Sequence, residues 1–468
     1  MPEKKFAIAW YRFHNGVMMV LGDVLSISAG LCVAAILRKA YSGGTFFPGW
    51  GWYVFSLWLG GATLMRIVPS WGLGPVEELR RMTILQIFVH AGTTVALIAG
   101  RAAPMDFFTL LTVFFVSSFL IPTVRLRIKR VLIAANRWGV PVVVYGSGET
   151  AALVVELLKR EKGLGYIPEA LVFEAGTAAQ QPRAANGVRI EDEAYLAATS
   201  APLAIVAMPG MSRERLATIL EGKLSGFYRV MVIPELFDVP SLWVKPRDIN
   251  GILGLEITSN LLSPFARFIK RAIDIILVLF CAPVWLPLCA ATALAIWIKD
   301  RGNPFFLQER VGRKGVIFRT WKFRTMVPNA EEVLRQKLDQ DEALRFQWLR
   351  NYKIKNDPRV TRLGKLLRRL SIDELPQLLN VLRGEMSLVG PRPLPLYHHK
   401  KLSPRVRELR ERVRPGLTGL WQVSGRSDRP HEDMERLDSY YVRNWSPWLD
   451  MVVLVRTFRA VVKGEGAY

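Results

Sequence analysis

Acidic residues are in short supply in this chain. Its 468 residues carry 40 Asp and Glu against 63 Lys and Arg, a formal net charge of +23, so the preferred partners are anionic. Cysteine is nearly absent. Cys32, Cys281 and Cys289 all lie in apolar stretches, and no pair has metal-ligand spacing. Nothing therefore calls for a disulfide framework or an oxidising compartment, and the three thiols read as buried bystanders. Half the residues are hydrophobic, which a nucleic-acid binder would not need. Charge and apolar content together describe a membrane protein facing nucleotides, phosphates or acidic lipid. The length leaves room for two to four units at about 100–200 residues each.

Four apolar segments occupy residues 17–37, 46–65, 83–100 and 107–124. Each is close to the ~20 residues that a helix needs to cross the hydrocarbon core. The first follows Lys4, Lys5 and Arg12 as a signal peptide would. However, it is long, lacks a small-residue cleavage site and runs into Arg38-Lys39, so it reads as an anchor. Loop charge sets the orientation. Arg66, Arg80, Arg81, Arg125, Arg127, Lys129 and Arg130 join the N-terminal cations on one side, against Arg38, Lys39 and Arg101 on the other. That asymmetry predicts a cytoplasmic N-terminus and a cytoplasmic chain after residue 125.

Residues 131–250 change character. "VPVVVYGSGETAALVVELLKR" is an apolar run, a turn at Gly146-Ser147-Gly148 and a helical pattern with Ala151 as the third small residue. Further apolar runs near 168–173, 203–208 and 229–233 make this a Rossmann-like α/β domain. A lone G-x-G-x-x-A is a weak nucleotide signature, and Glu174 falls beyond the usual ~20-residue spacing. A structural or regulatory role is therefore expected for it.

Residues 275–298 lack any charge over 24 positions, about 36 Å as a continuous helix. Lys270 and Arg271 flank one end, and Lys299 and Arg301 flank the other, so a spanning helix would leave one basic end outside. Pro283 and Pro287 interrupt the run and remove backbone donors. The expectation is a re-entrant helix near 267–300 that breaks and returns to the same face, its broken backbone covered by protein or partly wet.

The stretch 299–324 carries eight cations against Asp300 and Glu309, with aromatic residues interleaved in "WKFRTM". A bland juxtamembrane patch or a phosphate surface would both look like this. "RRLSIDELPQLLNVLRGEMSLVGPRP" then places Asp373 and Glu374 between Arg368-Arg369 and a Pro-Arg-Pro turn at Arg392. Ser371-x-x-Glu374 is a capping-box pattern and predicts a helix starting at Ser371. Capping alone would account for Glu374, and the positive helix end for Asp373. Helical neighbours point about 100° apart, so the pair could equally divide into a nucleophile and a cation holder. Arg368 and Arg392 suit bidentate grips on phosphate oxygens, and Pro391 and Pro393 stiffen the loop that carries Arg392.

From Phe268 to Tyr468 the chain resembles the monotopic polyprenyl-phosphate phosphoglycosyl transferases, the bacterial sugar transferases. The resemblance rests on "KRAIDIILVLF", "QERVGRKGVIFRTWKFRTM", "SIDELPQLLNVLRGEMSLVGPRPL", "VRPGLTGLWQVSGR" and "SYYVRNWSPWLD". The whole looks like the large form: a four-helix bundle over 1–130, the Rossmann-like domain over 131–250 and a mainly helical transferase domain over 251–468. "GLTGLWQVSGR" and "GEGAY" look most like the undecaprenyl-phosphate galactose phosphotransferase branch.

The resemblance implies that Asp373 attacks the β-phosphorus of a UDP-sugar and that Glu374 holds Mg²⁺. It also implies that Lys322, Arg368 and Arg392 contact phosphates and that Arg426 contacts the nucleotide. Undecaprenyl phosphate would be the acceptor, in a bacterial inner-membrane homodimer with a cytoplasmic active site feeding O-antigen, capsule or exopolysaccharide synthesis. Galactose is expected from the branch alone, since no residue can be seen to read the hydroxyl that distinguishes it from glucose. One departure stands out. Many relatives have Ser-Pro at the helix break, whereas Ala282-Pro283 offers no hydroxyl to the backbone there.

Other features carry less. His398-His399 lie in a loop-like stretch, and Trp445 and Trp448 read as interface anchors. Membrane-anchored sugar-nucleotide dehydratases also join four helices to a Rossmann domain but need Tyr-x-x-x-Lys near the cofactor. The Tyr397–Lys401 pair lies outside 131–250. A non-enzymatic scaffold would leave the Asp-Glu, Arg and Pro-Arg-Pro constellation unexplained.

Overall fold

The computed structural model describes residues 2–42, 49–146, 148–173, 188–208, 210–233, 244–249, 252–257, 264–327, 329–340, 345, 357, 359–424 and 431–463. The chain divides into two compact units, Met1–Phe237 and Asp238–Tyr468.

The first unit opens with four apolar helices: α1 (Pro2–Ser42), α2 (Gly51–Leu64), α3 (Pro75–Ala99) and α4 (Pro104–Ala134). Ile27, Leu31, Trp58, Leu85 and Val113 form their shared core. Of these, α1, α3 and α4 are long and apolar enough to cross a membrane. At 14 residues α2 is shorter than the segment the sequence suggests, whose start lies outside the described residues. Helix α4 also runs well past residue 124, so Arg125 and Lys129 are not loop charges. Both are buried in the bundle, where Arg125 Nη2 lies 2.5 Å from Asp23 Oδ2 and Lys129 Nζ lies 2.5 Å from Glu78 Oε2. Cations in so dry a place persist only when paired, and α1 and α3 supply the carboxylates.

A parallel sheet follows. β1 (Val140–Tyr145), α5 (Glu149–Arg160), β2 (Tyr166–Val172), β3 (Arg189–Glu191), α6 (Tyr195–Ala198), β4 (Leu203–Val206), α7 (Arg213–Glu221) and β5 (Arg229–Val232) build five strands in the order β3-β2-β1-β4-β5. Alternate residues of β1 serve opposite faces. Val140, Val142 and Val144 pack with Val154, Val155 and Leu158 of α5, while Val143 and Tyr145 pack with Leu196 of α6 and Ile219 of α7. Burial on both faces explains why the strand reads as an unbroken apolar run. Gly146 has φ +153°, and a Cβ there would sit 2.6 Å from the Ala207 carbonyl oxygen. Chain packing thus accounts for this glycine without a ligand. Glu174 lies outside the described residues.

The second unit starts with an antiparallel hairpin of β6 (Val244–Ile249) and β7 (Ile252–Ile257). Helix α8 (Pro264–Phe280) and helix α9 (Ala282–Asp300) follow, separated by Cys281 alone. The alanine at the break is compensated from elsewhere: Trp285 Nε1 donates to the Val278 carbonyl oxygen at 3.0 Å, four residues before Ala282. An indole thus takes up a carbonyl at the break. The cysteines depart from expectation. Cys32 and Cys281 are exposed and Cys289 is partly so, because these helices turn apolar side chains such as Phe280 and Val284 outward.

Beyond α9 the chain forms β8 (Phe305–Val311), β9 (Ile317–Phe323), α10 (Ala330–Gln340), α11 (Arg362–Arg369) and a 3-10 turn at Ile372–Glu374. It continues through α12 (Gln377–Arg383), β10 (Ser387–Val389), α13 (Leu396–His399), α14 (Pro404–Glu411), β11 (Gly416–Thr418), α15 (Leu420–Val423), α16 (His431–Arg443) and α17 (Pro447–Lys463). Trp445 is no interface anchor. It is buried, and its Nε1 donates to Asp450 Oδ2 at 3.0 Å, an oxygen that also receives Lys270 Nζ at 2.6 Å. Burial of Asp450 demanded these donors, and the indole serves that demand.

Candidate active site

Three elements converge on one cleft. The first is the hairpin of β8 and β9, whose register pairs Phe306 with Lys322, Gln308 with Thr320 and Arg310 with Phe318. Paired residues share a face and alternate residues return to it, so Arg310, Thr320 and Lys322 lie on one side. Phe318, from that same face, belongs to the core with Leu378 and Val381 of α12. The buried Asn380 of α12 fixes the hairpin by its backbone: its Nδ2 donates to the Arg319 carbonyl at 2.8 Å, and its Oδ1 accepts from the Trp321 amide at 3.1 Å.

The second element carries the carboxylates. Thr361 caps α11 by accepting from the Gly364 amide at 2.9 Å. The helix ends at Leu370, and Ser371 adopts a left-handed conformation with φ +55°. The expected capping box is therefore absent. A left-handed residue cannot open a helix with its hydroxyl over the next turn, and Ser371 makes no side-chain cap bond. The chain instead makes the tight turn that contains Asp373 and Glu374, and α12 begins only at Gln377. Tight reversal at Ser371 leaves capping no part in the roles of the two carboxylates.

The third element is the Pro391-Arg392-Pro393 loop. The Gly390 amide donates to the Thr418 carbonyl and the Gly416 amide to the Pro391 carbonyl, both at 2.9 Å. Gly416 is needed there, since a Cβ would stand 2.1 Å from the Gly390 nitrogen. Arg410 adds a donor, Nη2 to the Arg392 carbonyl at 2.5 Å, while its Nη1 pairs with the buried Asp438. Desolvation pushes Asp438 up to about 6 against the pull of Arg410.

These elements line a small open cleft with Arg310, Thr320, Lys322, Glu374, Gln377 and Arg392 among its walls. Glu374 Oε1 accepts from Lys322 Nζ at 2.7 Å and from Arg392 Nη2 at 3.0 Å. Its neighbour differs. Among the described residues Asp373 has no hydrogen bond and no ion pair, although it is half-buried. Burial pushes its carboxyl up to about 6, and the Glu374 charge adds to the rise, against the pull of Lys322, Arg368 and Arg392. Arg368 is anchored by Nε to Thr325 Oγ1 at 3.0 Å, and burial lowers its guanidinium in spite of Asp373 and Asp357.

The structure thus brings Lys322, Arg368, Asp373, Glu374 and Arg392 together, while Arg426 lies outside the described residues. Arg310 was not singled out from the sequence. It is one of many cations in 299–324, and the two-residue alternation with Lys322 across the hairpin was the available signal. His399 is buried in the short α13 with Nε2 2.8 Å from Glu411 Oε1 and is not among the residues that line the cleft. For a divalent cation, Glu374 offers hard oxygen donors beside a cationic cleft. Mg²⁺ characteristically takes one or two carboxylates and completes its shell with substrate phosphate oxygens and water, so Glu374, whose Oε1 already accepts from Lys322 and Arg392, would be the residue to hold it.

Residues 265–464 match the family model described as "Bacterial sugar transferase". The chain is 36% identical over 362 residues to the UDP-galactose-lipid carrier transferase of Erwinia amylovora, covering 75% of this chain and 74% of that protein. It is 40% identical over 222 residues to the undecaprenyl-phosphate galactose phosphotransferase of Salmonella typhimurium, covering 47% of this chain and 46% of the other. Against the UDP-glucose:undecaprenyl-phosphate glucose-1-phosphate transferase of Escherichia coli it is 35% identical over 248 residues, about half of each chain. A match of that identity over three quarters of both chains extends well beyond the catalytic motifs. The chain belongs to the bacterial sugar transferase family and is an enzyme of that class.

Proposed function

We propose that this protein transfers a sugar 1-phosphate from a UDP-sugar to undecaprenyl phosphate, releasing UMP through an aspartyl phosphosugar intermediate. The observation that carries the reading is the division of labour between neighbours. Glu374 absorbs two cations, whereas Asp373 is left desolvated and unpaired among the described residues. An unpaired carboxylate costs stability and gains nucleophilicity.

In the first half-reaction an Asp373 oxygen bonds to the β-phosphorus as the bond to the bridging oxygen breaks, and UMP leaves with that electron pair. In the second, an acceptor phosphate oxygen attacks the same phosphorus, the bond to Asp373 breaks, and the carboxylate returns. Lys322 and Arg392 neutralise the phosphate oxygens, and Arg368 adds positive charge that acts on Asp373. Mg²⁺ held by Glu374 would supply further charge neutralisation to the diphosphate. Most of the rate enhancement on this account is positioning and electrostatics.

Galactose is the proposed sugar, because relatives whose names specify galactose match across the transferase region. UMP release measured with UDP-galactose and UDP-glucose tests this, and equal or faster turnover of UDP-glucose overturns the sugar while leaving the chemistry intact. The protein is proposed to reside in the bacterial inner membrane with this cleft on the cytoplasmic face and with α8 and α9 re-entrant. Supporting re-entry, Arg271 near one end donates to the Leu382 carbonyl at 2.8 Å, and the hairpin just beyond the other end packs on that same helix, α12. In a Cys-free background, Arg267→Cys and Lys299→Cys should behave alike towards an impermeant thiol reagent in intact cells. Labelling of Lys299→Cys alone would show a spanning helix.

A further inference from the structure

Lys322, Arg368 and Arg392 have roles in the reading above, and one cleft cation has none. Arg310 projects from the same face of the hairpin as Lys322 and lines the same cleft. Its hydrogen-bond partner is neutral: Nη2 donates to Gln308 Oε1, and among the described residues no carboxylate pairs with it. Burial and the adjacent Arg392 hold its guanidinium down to about 10, so an anion at this place would relieve a real cost.

The charges also fall in an order along the hairpin. Arg368 is anchored on Thr325 just past the end of β9, Lys322 comes next, and Arg310 stands opposite Phe318, two same-face positions further on. Lys322 and Arg392 both reach Glu374, the neighbour of Asp373, and Arg310 lines the cleft at the far end, whereas Asp373 and Arg368 are not among its lining residues. Phosphoryl transfer puts the attacking and leaving oxygens roughly in line, on opposite sides of phosphorus. Whatever leaves when Asp373 attacks must depart towards Arg310.

Resting on the proposed function, we propose that Arg310 holds the leaving phosphate, which is the α-phosphate of the sugar nucleotide. The acceptor phosphate must enter along the same line to displace Asp373, so Arg310 holds it in the second half-reaction. One cation thus serves UMP departure and acceptor entry in turn. No net bond change occurs at Arg310; it carries charge that develops on the bridging oxygen as that bond breaks and that disappears from the acceptor oxygen as the new bond forms.

The test uses the full chain in detergent or nanodiscs, with Arg310→Gln, Arg310→Lys and, as a control, Arg319→Gln on the exposed side of the same hairpin. Two quantities are read: equilibrium affinity for UMP, and the single-turnover rate of β-phosphate label appearing on the protein without acceptor. Arg310→Gln should slow labelling by about 10²–10³-fold, as loss of one donor to developing charge does elsewhere, and weaken UMP more than tenfold. Arg310→Lys should fall between it and wild type, because an ammonium keeps the charge and loses the fork. Arg319→Gln should match wild type. If Arg310→Gln does not fold, the Lys variant decides: UMP affinity and labelling within twofold of wild type would overturn the assignment. So would a folded Arg310→Gln with both quantities within threefold. Absence of label on wild type would refute the aspartyl intermediate, whereas normal wild-type labelling with variants indifferent to UMP would refute the role of Arg310 alone.

Discussion

Lys322 Nζ donates to Glu374 Oε1 at 2.7 Å, and by doing so it is committed to Glu374 and not to Asp373 one residue earlier. Arg392 reaches the same oxygen at 3.0 Å. One carboxylate is therefore neutralised and the other is held in a partly dry place with its charge uncompensated by direct contact.

Glu374→Gln should destabilise the protein and slow it. The amide keeps the shape but removes the acceptor charge for two cations, a loss of about 1–3 kcal/mol where charged hydrogen bonds are broken. Thermal unfolding in detergent would show a lower midpoint, and turnover should need more Mg²⁺. An unchanged midpoint and Mg²⁺ dependence would mean that the Lys322 and Arg392 contacts carry no weight.

Asp373→Asn should do the opposite to stability. The folded carboxyl titrates near 6, above the ordinary carboxylate value of 3.8. Because ionisation is harder in the folded state, wild type loses stability as pH rises through that window, and the amide does not. The variant should match wild type at pH 4 and exceed it at pH 7–8. Wild-type kcat/KM should fall below about pH 6 as the nucleophile takes up a proton. A variant less stable than wild type at pH 8 would contradict the desolvation argument.

Arg410→Leu should be costly at a distance from the cleft. It would leave Asp438 buried without its cation and release the Arg392 carbonyl. Breaking a buried pair from one side costs about 3–5 kcal/mol, and the loop that aims Arg392 would lose one of its fixed points. Chemical denaturation of the wild type, Arg410→Leu and a doubly substituted Arg410→Leu/Asp438→Leu should show the double variant recovering part of the loss. No recovery would argue that the pair is not the source.

Trp285→Phe keeps the ring in the core and deletes the indole donor to Val278 at the helix break. The expected cost is about 1 kcal/mol, read as a lowered midpoint in lipid nanodiscs. Ala282→Ser in the same background should restore part of it, and failure of both effects would show that no side-chain donor is needed there.

How much of this was legible in the sequence varies by element. The four apolar helices and the buried run of β1 were readable because their hydrophobic pattern reflects burial directly. The end of α4 was not, since Arg125 and Lys129 look like loop cations until Asp23 and Glu78, far away in sequence, are seen to pair with them. The Asp373-Glu374 motif was visible, but its local geometry was misread: Ser371 has the residue type of a cap and the backbone of a left-handed turn. Trp445 misled for a similar reason, because its partner Asp450 is a buried acceptor that Lys270, far away in sequence, also reaches. Arg310 needed the register of β8 against β9, which sequence alternation suggests but does not fix.

The central claim is that Asp373 forms a covalent bond to phosphorus. It is tested most directly by incubating the protein with UDP-sugar labelled in the β-phosphate, without lipid acceptor, and locating the label by mass spectrometry after rapid quench. The account predicts a hydroxylamine-sensitive acyl phosphate on the peptide carrying Asp373, and no label and no turnover from a folded Asp373→Asn protein. Robust turnover by that folded variant, or label on another residue, would contradict it.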